Sequence, residues 1–179
     1  MERKERLQAL ANYLGVEPDY FEEESYDDKA FESKEYNEEY LVLTEDEARD
    51  YAEQDIREVY DDLGLESFTP EFQEWIMINA LDSEPFEELL DEEIDYFTTQ
   101  EPDEDSLAYV QSFENDPIEY AKQLFDKEGF ENFVKEHDAL DMDAIVSEAI
   151  SQDGVAHFIA SYDGNEIDLG NGLFAYRTN

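Results

Sequence analysis

Apolar residues recur along this chain mostly at a helical period. Leu7, Leu10, Ala11 and Leu14 repeat at that spacing and Gly15 follows as a C-cap, so the first element is a short helix. Residues 17–38 mix carboxylates and tyrosines with Lys29 and Lys34 in a weakly alternating stretch that specifies little. Glu39–Leu43 reads as a strand, and Thr44 with Glu47 forms a capping box that opens a helix running to about Asp62, with Ala48, Ala52, Ile56, Val59 and Leu63 as its apolar stripe. Thr69-Pro70 starts a second helix that is apolar on nearly every side, through Phe72, Trp75, Ile76, Met77, Ile78 and Leu81, and is expected at the centre of the core. Ser83 and Pro85 open a third, with Phe86, Leu89, Leu90, Ile94 and Phe97 on its inner face.

Leu107, Val110 and Phe113 give a turn or two of helix. Asp116-Pro117 caps the next, carrying Ile118, Ala121, Leu124 and Phe125, and Phe130, Phe133 and Val134 continue beyond Gly129. Met142, Ile145, Val146, Ala149 and Ile150 make an amphipathic helix that ends near Gly154. The last segment changes period. Ala156–Tyr162 is strand-like, Asp163-Gly164 is a hairpin signal, Ile167 and Leu169 start a second strand, and Gly170-Asn171-Gly172 turns into a third at Leu173–Arg177. The predicted class is therefore α+β: a mostly helical body over 39–152 and a three-stranded antiparallel meander over 155–178, which the strand at Tyr40–Leu43 is placed to join. Neither a repeat nor a Ser- or Gly-rich linker divides residues 1–179, which read as one domain.

Composition changes the picture in one respect. The chain carries 52 Asp and Glu against 11 Lys and Arg, a formal charge of −41. Acidity on this scale accompanies disorder when apolar content is low, but here 41% of residues are hydrophobic and 14% aromatic, enough for a folded body with a carboxylate coat. Without cysteine there is no disulfide and no thiolate site, which fits a reducing cytoplasm. Residues 1–14 are too polar and periodic for a signal peptide, and no apolar run is long enough to span a membrane.

The distribution of charge narrows its meaning. Between Arg57 and Lys122 lie 64 residues with no Lys or Arg and with 21 Asp or Glu. On the helix from Ser83, Glu84, Glu88, Asp91 and Asp95 fall at i, i+4, i+7 and i+11, one line opposite the apolar face, and Glu87 and Glu92 widen it. Each like-charge i,i+4 pair costs about 0.2–0.5 kcal/mol, a cost that interspersed lysines would avoid. Duplex DNA carries one charge per roughly 1.7 Å of axis, so −41 matches roughly 70 Å of duplex gathered on one small protein. These features predict a DNA mimic whose partner is a basic DNA-binding protein. The predicted contact surface comprises Glu58, Asp61, Asp62, Glu71, Glu74, Glu84, Glu87, Glu88, Asp91, Glu92, Asp95, Asp103, Glu104 and Asp105. Direct binding to nucleic acid or anionic membrane is opposed by like charge, and a homodimer would lengthen the mimicked duplex. Tyrosines beside carboxylates (Tyr20, Tyr26, Tyr36, Tyr51, Tyr60, Tyr96, Tyr109, Tyr120) add candidate contact area, although amphipathic core edge accounts for most such positions. Two other readings stand beside mimicry: an adaptor module that binds a basic partner, and halophilic adaptation, against which Glu exceeds Asp and large aromatics abound.

The sequence offers no catalytic constellation. His137 and His157 are the only histidines and no Cys accompanies them, so a zinc site is not indicated. Phosphate-loop, GxSxG and HExxH motifs are lacking, and the acidic runs at Asp141 and Asp163 miss EF-hand spacing. The expectation is a binding protein that is not an enzyme, with neither cofactor nor metal.

Two segments, Glu39–Ala48 (EYLVLTEDEA) and Ala156–Asn179 (AHFIASYDGNEIDLGNGLFAYRTN), resemble small acidic proteins of unassigned function encoded by bacteriophages. In size, acidity and lack of cysteine the chain is also similar to anti-restriction proteins of the ArdA type. The resemblance implies a host bacterial cytoplasm and, as targets, restriction or CRISPR nucleases with basic DNA channels; a nucleoid protein or a DNA-repair glycosylase would present a suitable groove as well.

Overall fold

The computed structural model describes residues 1–23, 27–99 and 104–179. The protein is α+β, and its chain divides into two compact units, Met1–Ser67 with Val146–Asn179, and Phe68–Ile145.

The first unit is built on a four-stranded antiparallel sheet in the order β1-β2-β4-β3, formed by β1 (Ala30–Glu32), β2 (Glu39–Thr44), β3 (Glu166–Gly170) and β4 (Leu173–Arg177). The strand at Tyr40–Leu43 does join the C-terminal strands, pairing with β4 in the register Val42 to Ala175. Both central strands are apolar on alternate residues of both faces, as strands covered on two sides must be. Tyr40, Val42, Leu173 and Ala175 pack with Leu10 and Ala11 of α1 (Arg3–Leu14) and with Phe21 and Phe31. On the opposite face Leu43 and Tyr176 pack with Ala48 and Ala52 of α2 (Glu45–Leu63) and with Ile159 and Ala160. The capping box that opens α2 is present, with Thr44 Oγ1 accepting from the Glu47 N–H.

The expected first strand of the C-terminal meander is instead a helix, α9 (Val155–Ile159). Gly154 at φ 78° breaks the chain between α8 (Met142–Asp153) and α9. Ala156, Ile159 and Ala160, spaced i, i+3 and i+4, then pack onto the small residues Ala48 and Ala52 of α2. A short apolar run fits either period, and a helical partner lined with alanine settles it as helix. Asp163-Gly164 accordingly joins α9 to β3, and the meander's third strand is β2.

The tight hairpin lies between β3 and β4, where Asn171 (φ 55°) and Gly172 (φ 75°) form a two-residue loop with both φ positive, the pattern of a type I′ turn. Tyr176 Oη donates to Glu166 at 2.6 Å across the same pair of strands. A Cβ on Gly172 would meet nothing within 4 Å, so Gly172→Ala should cost only backbone strain. The expected loss in a urea titration is about 1–2 kcal/mol, with an unchanged m-value.

The second unit is helical: α3 (Pro70–Asn79), α4 (Glu84–Thr99), α5 (Glu104–Gln111), α6 (Pro117–Leu124), α7 (Lys127–Glu136) and the start of α8. The polar caps at Thr69 and Asp116 act as the sequence predicts, each side chain accepting from the backbone N–H three residues on, and Asp126, which the sequence pattern did not single out, caps α7 in the same way. Phe86 stacks on Phe130 at 5.7 Å and meets Phe133 in a tilted contact at 5.1 Å. Leu90, Val110 and Tyr120 form a second cluster, joined by Ile94, Phe97 and Phe113. α3 is not buried all round. Phe72 and Ile76 point inward, Trp75 stacks on Phe72, and Ile78 is 64% exposed, so one face at i, i+4 spacing does the packing. The stripe of α2 is shortened in the same way: Ala48, Ala52 and Ile56 are buried while Val59 and Leu63 are exposed.

Candidate partner-binding surface

Every predicted contact residue among the described residues is exposed: Glu58, Asp61 and Asp62 on α2, Glu71 and Glu74 on α3, Glu84, Glu87, Glu88, Asp91, Glu92 and Asp95 on α4, and Glu104 and Asp105 on α5. Asp103 and Tyr26 lie outside the described residues. The α2 carboxylates belong to the first unit and the rest to the second. What one rigid element brings together is the set on α4, sixteen residues with seven carboxylates and no basic side chain.

The geometry of α4 follows from its periods. Phe86 and Leu90 are buried and Ile94 and Phe97 partly so, which turns the line Glu84, Glu88, Asp91 and Asp95 to solvent with Glu87 and Glu92 on its flanks. Asp82 Oδ1 accepts from the Glu84 N–H at 3.1 Å, and Ser83 Oγ donates to Glu87 at 2.8 Å, so the helix begins on acidic residues that its N-terminal dipole favours. The seventh carboxylate, Glu93, was not predicted as a site residue. It stands seven residues after Phe86 and three after Leu90, on the apolar side, and is half-buried. That periodicity was the signal that could have separated it from its neighbours.

Few cations offset these carboxylates, and most are engaged within the fold. Arg6, 3% exposed, donates to both oxygens of Glu47 at 2.7 and 2.8 Å and to the Val42 carbonyl at 2.6 Å. Arg3 donates to the carbonyls of Asp27 and Ala30 and lies over the Phe31 ring. Lys29 lies 3.6 Å from Glu47, Lys34 donates to the Asp19 carbonyl, and Arg177 bridges to Glu38 at 3.0 Å while covering the Tyr162 ring. Arg49 pairs with Glu53, Lys127 with Glu131, and Lys122 sits over Phe130. Among the described residues only Arg6 is a buried cation; Arg49, Lys122 and Lys127 make their contacts on exposed surface, and none of these cations stands on α4. On α2 the Asp55 carboxyl is raised above its ordinary range, chiefly by loss of hydration and secondarily by the neighbouring Glu58.

Tyr13, Tyr36, Tyr96, Tyr109 and Tyr162 expose more than half of their surface, whereas Tyr40, Tyr120 and Tyr176 are core residues. Among the described residues no group of three or more His, Asp or Glu side chains is arranged to hold a metal ion. Among the same residues no helix is long and apolar enough to cross a membrane. Comparison with protein-family models, with curated proteins and with solved structures gives no match to the chain.

Proposed function

We propose that this protein inhibits a DNA-binding protein by filling its basic groove with the carboxylate ridge of α4. The single observation that carries this reading is the linear density of charge. From Glu84 to Asp95, roughly 16 Å at about 1.5 Å per residue, six exposed carboxylates project from one helix, one per ~3.3 Å of axis. One strand of duplex DNA presents a charge every ~3.4 Å. A groove that binds DNA through its phosphates meets a similar row of charges on α4, held rigidly and without bases. The absence of any basic side chain on α4 supports the same reading, because that ridge carries no positive charge to repel the groove. Restriction and CRISPR nucleases, whose DNA channels are basic, are the proposed target class, beside other proteins with a basic DNA groove, and the resemblance of two segments to phage-encoded acidic proteins is consistent with that choice.

Competition tests the reading. Proteins retained from a bacterial lysate by the immobilised chain should be displaced by duplex DNA and should elute in steps of rising salt, since groove contacts of this kind weaken with ionic strength. A retained partner that binds the chain and a DNA duplex at the same time would refute it.

A further inference from the structure

A cleft of about 430 Å³ opens in the second unit between α4, α5 and α6. We propose that it seats the guanidinium of an arginine side chain presented by the basic partner. The inference rests on the groove-filling function for the identity of that partner, but the chemistry of the cleft is argued from its own walls.

Phe97, Tyr109 and Tyr120 supply aromatic surface, and Glu93 and Asp105 supply carboxylates from two different helices. Among the described residues no Lys or Arg lines it. Glu93 is half-buried on the apolar side of α4, where a carboxylate loses hydration and gains most from a cation. Its charge reaches the wall: Tyr120, 4% exposed, is held above the ordinary phenol range by burial first and then by the field of Glu93. A cation entering the cleft would therefore meet both a negative potential and ring faces.

The rim is organised in advance. Tyr109 Oη donates to Gln123 Oε1 at 2.8 Å, which ties α5 to α6 across the mouth, and its ring stands edge-on to Phe113 at 5.3 Å. Tyr109 nevertheless leaves 53% of its surface open. A side chain that docks there orders little that is not already ordered. Arginine fits better than lysine because a planar, weakly hydrated guanidinium can lie on an aromatic face while two of its N–H groups reach a carboxylate. An ammonium is more strongly hydrated and lacks that fork. A divalent cation would need a shell of oxygens, and the cleft offers rings instead.

The test uses the full chain, labelled with ¹⁵N, titrated with N-acetyl-arginine methylamide and with the citrulline analogue, which has nearly the same shape and no charge. Saturable shifts are expected at Glu93, Phe97, Tyr109 and Tyr120 with the arginine probe alone. Glu93→Gln should weaken that binding by roughly tenfold and Tyr109→Ala by roughly fivefold. Glu128→Gln, on exposed surface of α7, should leave it unchanged. Because Tyr109 also bonds Gln123 and packs on Phe113, the amide fingerprint of Tyr109→Ala is recorded first, and a loss of binding with the fingerprint preserved away from those two neighbours separates recognition from unfolding. Shifts that spread over the acidic helices without saturating, or equal binding by Glu93→Gln or by citrulline, would overturn the proposal. Saturable arginine binding with no DNA-competed partner would keep the cleft and remove the groove-filling function. A DNA-competed partner with no arginine titration would do the reverse.

Discussion

Arg6→Met is expected to destabilise the sheet-bearing unit by about 3–5 kcal/mol, the largest stability effect of any single change proposed for this protein. Arg6 is 3% exposed and clamps three elements: it lies on α1, grips the carboxylate of Glu47 on α2 with two N–H groups, and donates to the Val42 carbonyl of β2. Methionine fills the volume but removes the guanidinium from that carbonyl and from Glu47, which keeps only the Thr44 N–H and hydroxyl and the more distant Lys29. Arg6→Lys keeps the charge without the fork and should fall between the two. Urea titrations of the three proteins check the order, and a methionine variant as stable as the wild type would sink it.

The same pair sets a pH dependence. Partial burial by itself would raise the Glu47 carboxyl, but the Arg6 hydrogen bonds, the Thr44 N–H and the charges of Arg6 and Lys29 outweigh it and hold the group at about 2, against 4.5 when unperturbed. A carboxyl lowered on folding contributes stability that is fully present above pH 4.5 and is lost as pH falls through the folded value. The pair should therefore lose on the order of 3 kcal/mol between pH 5 and pH 2. Protonation of the remaining carboxylates acts in the opposite sense by relieving self-repulsion, so the wild-type curve alone mixes two effects. Glu47→Gln isolates the first: the difference from wild type should shrink as pH falls toward 2, and a constant difference would contradict the assignment.

The sequence carried most of this architecture because local signals and tertiary packing agree. Thr44 with Glu47, Thr69 with Pro70, and Asp116 with Pro117 marked helix starts that the backbone uses, since a cap satisfies donors that any helix beginning there must leave open. The failures share a cause. Ala156–Tyr162 has apolar residues that fit either period, and only Ala48 and Ala52, about a hundred residues away in sequence, decide for a helix. β1 lies in a segment whose pattern specifies little, and its pairing with β2 supplies the order that its sequence lacks. For α3, apolar composition overstated burial, because one face was enough to pack it. On the candidate surface, exposure of the α4 carboxylates could be read from spacing, whereas Glu93 was hidden by its chemical likeness to them. A run of acidic letters does not distinguish a solvated carboxylate from one that lines a cleft.

Replacing Glu84, Glu88, Asp91 and Asp95 with Gln or Asn is expected to change binding and stability in opposite directions. Each carboxylate that faces a basic groove contributes on the order of 1 kcal/mol at a solvated rim and more where water is excluded. Loss of four should weaken the partner complex by about a thousandfold and reduce its salt slope by about four units. Stability should rise instead. The line holds like charges at i, i+3 and i, i+4, each pair unfavourable by about 0.2–0.5 kcal/mol. Neutralisation should return up to about 1 kcal/mol, less what Glu84 contributes beside the helix N-terminus. The control is an equal neutralisation at the exposed Glu128, Glu131, Glu136 and Asp138 of α7 and the turn after it, which leaves the same net charge. If both variants lose binding equally, total charge and not the row on α4 governs recognition. If the α4 variant binds normally, the protein is an adaptor that uses another face. Only loss confined to the α4 variant, together with a gain in thermal stability, fits a helix that accepts self-repulsion in order to reproduce the charge spacing of a DNA strand.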